Sequence, residues 1–148
     1  MSGFHCKFEL IEDLHTQKKI KMQKKESIYE LHEDHKEWLS KLDFYKDDIK
    51  ILRHRLEEVV SKNTDHSVLA EAEKFQNQFI VQNDNIDHIR HFINVEENKI
   101  EKIVNANPVA VDHRKIEHRE VQKDLIDNFE KNFKQLRIDF NAYIAKWI

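Results

Sequence analysis

Three residue types that punctuate most folds are almost missing. The 148-residue chain holds one glycine (Gly3), one proline (Pro108) and one cysteine (Cys6). β-Hairpins and loop-rich folds need glycine and proline at their turns, so a sheet protein is excluded on supply alone. Glycine-rich phosphate loops and dinucleotide-binding turns are excluded for the same reason. A single thiol excludes an internal disulfide and any cysteine-based zinc cluster. No apolar run approaches the roughly 20 residues that a membrane-spanning helix needs. The opening residues, MSGFHCKFELIEDL, place acids where a secretory leader needs an unbroken apolar core. The expectation is a cytoplasmic protein that does not contact membrane. Charge of one sign is also lacking: 25 basic against 28 acidic side chains leave a formal −3. The clearly basic face of a nucleic-acid binder is therefore not expected.

What remains is a chain of which 36% is charged and 39% hydrophobic, with the apolar residues regularly spaced. Such spacing is the mark of a folded helical protein rather than a disordered one. The first stripe is Ile28, Leu31, His35, Trp38, Leu42, Tyr45, Ile49, Leu52, Leu56 and Val59. Its steps alternate three and four, which lays every member on one side of a helix. Ser27 and Glu30 read as a capping box that starts this helix. Cap and turn residues at 61–67 then break the pattern. The second stripe is Ala72, Phe75, Phe79, Gln82, Ile86, Ile89, Ile93, Glu96, Ile100 and Ile103. Asn107-Pro108 marks a stop and restart. The third stripe is Val111, His118, Val121, Leu125, Phe129, Phe133, Leu136, Phe140, Tyr143 and Trp147.

The predicted fold is all-α: an elongated antiparallel bundle of three long helices at about 27–61, 67–104 and 108–147, forming one domain. Each helix would be about 50–60 Å long. Narrow apolar seams imply coiled-coil-like packing. Residues 1–25 are expected to form a short N-terminal helix or arm. Phe4, Phe8, Ile11 and Leu14 keep helical spacing there, and 17–25 carry five lysines with no acid. In length, seam period and an early tryptophan, Trp38, the chain resembles spectrin-like three-helix bundles. The resemblance is one of architecture and rests on no diagnostic motif.

Polar residues interrupt each stripe. With the first turn near position 64 and the second near 107, His35 falls opposite residues close to Glu96, and Glu96 falls opposite His118. Two imidazoles and a carboxylate in one layer are a candidate zinc or iron(II) shell, with His32, Glu97 and Glu117 near enough to contribute. The same layer also reads as a hydrogen-bonded polar belt that fixes helix register. Gln82 projects toward Asn132 by the same arithmetic and suggests a second polar layer. Weaker signals are His32-x-x-His35, His88-x-x-His91 and a lone Glu12-x-x-His15. Glu30-Leu31-His32-Glu33 resembles the phospho-acceptor box of histidine-kinase dimerisation helices, which implies a relay role for an exposed histidine. Off-stripe Phe44, Ile51, Ile80, Val81, Phe92, Ile116 and Ile126 exceed what a monomeric bundle needs to bury. The functional expectation is a non-enzymatic interaction or scaffolding protein that binds a protein partner or a second copy of itself. A metal-binding bundle is the alternative.

Overall fold

The computed structural model describes the backbone of residues 3–106 and 113–148, and side chains at 28–106 and 119–148. Three helices follow one another: α1 (Gly3–Lys62), α2 (His66–Ala106) and α3 (His113–Trp147). Among the described residues there is no strand. None of them has a positive φ either, as expected of a chain nearly devoid of glycine.

The expected break near residue 26 does not occur. α1 is one helix of 60 residues, about 90 Å long at 1.5 Å per residue. Ser27 is helical, so the capping-box pattern there is not a start. The physical reason is the composition of 17–30. Lysine, glutamine, methionine and glutamate all propagate a helix well, and neither glycine nor proline intervenes. The side chains of 1–27, including Glu12 and His15, lie outside the described residues, as does Pro108.

The α1–α2 connection is three residues long and is built from caps. Asp65 closes the start of α2: its carboxylate accepts from the Ser67 amide at 3.1 Å and its carbonyl from Leu69 at 3.1 Å. Asn63 closes the end of α1 by donating to the Val59 carbonyl at 2.9 Å. The same amide donates to the Trp147 carbonyl at 3.4 Å, which ties this corner to the end of α3.

Sequence separations of cross-helix partners give the directions. Between α1 and α2 they fall along α1, from 65 at His32–Glu97 to 47 at Asp43–Arg90 and 41 at Lys46–Asp87, so these helices are antiparallel. Between α1 and α3 they stay near constant, at 85 for Asp34–Arg119 and 87 for His35–Gln122, so these two run parallel. All three pairs of helices are in contact. The topology is up-down-up.

The first two stripes face inward as the spacing predicts: Leu42, Ile49, Leu52, Leu56, Val59, Phe79, Ile86, Ile93 and Ile100 are buried. The third is displaced by one residue in its first half. Val121 and Leu125 are 52% and 40% exposed, whereas Gln122 and Ile126 are 1% and 2% exposed. The predicted line took three successive four-residue steps through 121, 125, 129 and 133. Such a run swings around the helix by about 120° and leaves the core. The true line, Gln122, Ile126, Phe129, Phe133, Leu136, Phe140 and Tyr143, alternates four and three.

Toward the α1–α2 turn the core is aromatic. Phe140 meets Phe75 and Phe79 edge-on at 5.3 and 5.0 Å. Tyr143 packs on Phe75 and donates its hydroxyl to the Val68 carbonyl at 2.8 Å. In mid-bundle, Tyr45 lies against Phe129 and Phe133 at 5.4 and 4.9 Å.

Candidate functional site

The polar layer sits near the other end of the bundle and is organised around His35, whose side chain is completely buried. Its position on the α1 seam, between Leu31 and Trp38, holds it inside, and the Trp38 ring lies 5.7 Å away. The Nδ1 atom lies 2.7 Å from Glu97 Oε1 on α2, and Nε2 lies 2.7 Å from Gln122 Oε1 on α3. One imidazole thus joins all three helices. One turn earlier on α1, half-exposed His32 brings its Nδ1 to within 2.9 and 3.0 Å of the two Glu97 oxygens. A single carboxylate therefore serves two imidazoles.

Two hydrogen arrangements fit these distances. In the first, His35 carries hydrogen on both nitrogens and donates to Glu97 and Gln122 as an imidazolium. In the second, the Gln122 amide is turned over, its NH2 donates to Nε2, and the ring is neutral with hydrogen on Nδ1. The second also gives a partner to the Gln122 amide nitrogen, which is otherwise buried with none among the described residues. In either case Glu97 is the acceptor for Nδ1.

A buried polar layer is present where the sequence places it, and it includes Glu97 and Gln122. His35 and Glu96 are buried, at 0% and 3% exposure. The carboxylate on His35 nevertheless belongs to Glu97, and the partner on α3 is Gln122. The predicted third member, His118, has its side chain outside the described residues. Glu96 receives the Lys99 ammonium at 3.2 Å. Between α1 and α2 the register lies about one turn from the hairpin arithmetic, which sets His35 opposite residue 94, whereas its carboxylate partner is Glu97. Gln122 was missed because the third stripe was drawn through Val121. In the alternating line it stands out as an interruption. Among the described residues, no group of three or more histidine, cysteine and acidic side chains is placed to hold a metal ion.

Charges flank the layer. Arg119 reaches from α3 to Asp34 at 2.8 Å and Glu30 at 3.1 Å on α1. Burial works against its charge, but Asp34 and Glu30 outweigh burial and hold the guanidinium pKa above its ordinary value. Lys41 bridges Glu130 and Glu37 at 3.4 and 3.5 Å. Burial opposes its charge as well, yet the two glutamates push its pKa up.

The other histidine pair does not form a site. His88 donates Nδ1 to its own helix, at the Asp84 carbonyl 2.8 Å away, and His91 is exposed. Near it, a cavity of about 330 Å³ opens between α2 and α3, lined by Gln82, Asn85, His88, Ile89, Phe92, Leu125, Asn128, Phe129 and Asn132. Gln82 and Asn132 share it, as the register arithmetic expected. The Gln82 carbonyl oxygen is buried there with no partner among the described residues.

No model of a known protein family, no curated protein and no solved structure matches this chain. What the molecule defines by itself is a class, the all-α three-helix bundle. Among the described residues, no helix is long and apolar enough to cross a membrane.

Proposed function

We propose that this chain acts by contact, as a non-enzymatic helical-bundle interaction or scaffolding protein. The observation that carries the reading is on α1. Phe44 and Ile51, one heptad apart and so one above the other, are 62% and 54% exposed. In a chain that is 36% charged, leaving a phenylalanine and an isoleucine on the same wet face is unfavourable unless something covers them. The long bundle supplies a rigid rod on which such faces keep their spacing. The polar layer then has a structural role: it joins α1, α2 and α3 at one level and favours one register over its neighbours.

Capture from native extract tests the reading, comparing the unaltered chain with Phe44→Glu/Ile51→Glu. Both substituted positions are exposed, so the fold is retained. A protein captured by the first and lost with the second supports contact through α1. Equal capture by both, or none by either, overturns it.

A further inference from the structure

The α2–α3 face carries a second strip with an unusual property: it has no charge. None of the nine residues lining the cavity there is Asp, Glu, Lys or Arg, although such residues make up 36% of the chain. Five of the nine, Asn85, His88, Leu125, Asn128 and Asn132, are exposed positions, where charge is the rule in this protein. The strip continues at both edges in exposed apolar residues, Val81 on α2 and Val121 on α3, at 53% and 52%. Along α3, Val121, Leu125, Asn128 and Asn132 step by four, three and four, and along α2, Val81, Asn85, His88 and Phe92 do the same. That is the spacing of a seam, on the side of the bundle facing away from the core.

We infer that this face is where a second copy of the chain packs. The inference goes beyond the α1 reading above: it assigns a second contact face and names its occupant. Charge and hydrogen bonding on the two copies are complementary. A surface that excludes both signs of charge suits a neutral partner, and most of this molecule's remaining surface is charged. The strip itself is neutral. Apart from the His88 imidazole, its polar groups are carboxamides, which carry donor and acceptor in one group and so pair with their own copies across a two-fold axis, as neither an ammonium nor a carboxylate does. The buried Gln82 oxygen supplies an acceptor still without a donor. Size sets the strength. From Val81 to Phe92 the strip runs about 17 Å, and two helices side by side are about 20 Å wide, which gives about 350 Å² per copy. Stable dimers bury about 800 Å² per partner, so the association is weak and reversible.

Sedimentation velocity of the full chain, over about two decades of concentration reaching about 1 mM, reads this directly. A monomer–dimer equilibrium is expected. Leu125→Glu brings like charges together across the axis and weakens the dimer at least about tenfold, while Ile51→Glu on α1 leaves it unchanged. Circular dichroism spectra and melting curves of both variants confirm that the bundle is intact. A strict monomer at every concentration overturns the self-association but leaves the α1 reading to its own capture test. A dimer that ignores Leu125→Glu, or that Ile51→Glu abolishes, overturns the assignment to this face.

Discussion

His35 Nε2 lies 2.7 Å from Gln122 Oε1, joining the first and third helices at a point closed to water. Neither residue can lose the other without leaving a buried polar atom unpaired. Gln122→Leu is therefore expected to cost about 1–3 kcal/mol in urea unfolding. Adding His35→Leu removes the stranded nitrogen, so the double variant should be more stable than the two single changes predict. A coupling of about 0.5–3 kcal/mol in the double-mutant cycle is the expected result. Strict additivity would show that the contact does not form.

The aromatic end of the core should be far more sensitive than the surface beside it. Phe140 is fully buried against Phe75 and Phe79, and Phe140→Ala is expected to cost about 3–5 kcal/mol. Ile138, two residues away and 61% exposed, should tolerate alanine within about 0.5 kcal/mol. Thermal unfolding of the two variants side by side checks the inward direction of α3.

Alkaline pH should destabilise the bundle. Burial, and then Glu71, raises the Tyr143 pKa above its ordinary value near 10. Burial also raises that of Tyr45, with Glu130 adding to it and Lys41 and Arg137 partly offsetting it. A raised folded pKa means that each phenol favours folding fully below its unfolded value and loses that contribution as pH climbs through the folded one. Stability should therefore drop as pH rises beyond about 10, where the Tyr143 hydroxyl can no longer donate to Val68. Tyr143→Phe should flatten that drop and remove a late component from the phenolate absorbance titration.

Protein purified without a tag should contain less than about a tenth of an equivalent of zinc or iron, because a structural site would retain its ion through purification. Stoichiometric metal in elemental analysis would instead support the His35, Glu96 and His118 site.

The fold was readable because two stripes, Ile28 to Val59 and Ala72 to Ile103, each hold one side of a helix for several turns. Burial of Leu42, Ile49, Phe79 and Ile93 follows from spacing alone. His35 and Glu96 were legible as buried for the same reason: they interrupt a run that otherwise points inward. The partners of His35 were not. Which carboxylate reaches His35 depends on hairpin register, and a turn of error exchanges one neighbour for another. At 121–126, Val121, Leu125 and Ile126 offer two competing lines, so local spacing does not decide which faces the core. The Ser27 capping pattern failed differently. A cap signature permits a helix to start, but strong helix formers on both sides carry the backbone through it.

The uneven distribution of aromatic packing along the rod has a mechanical result. Phe75, Phe79, Phe140 and Tyr143 clamp the end beside the short turn, while at the level of His35 the joint among the three helices is one imidazole, one carboxylate and one amide, with Arg119 bridging α3 to α1 beside it. Unzipping should therefore begin beyond His35 and travel toward the turn, and amide exchange should be graded along each helix rather than uniform. The clasped end would then still be holding the three strands of the rod together after the other had let go.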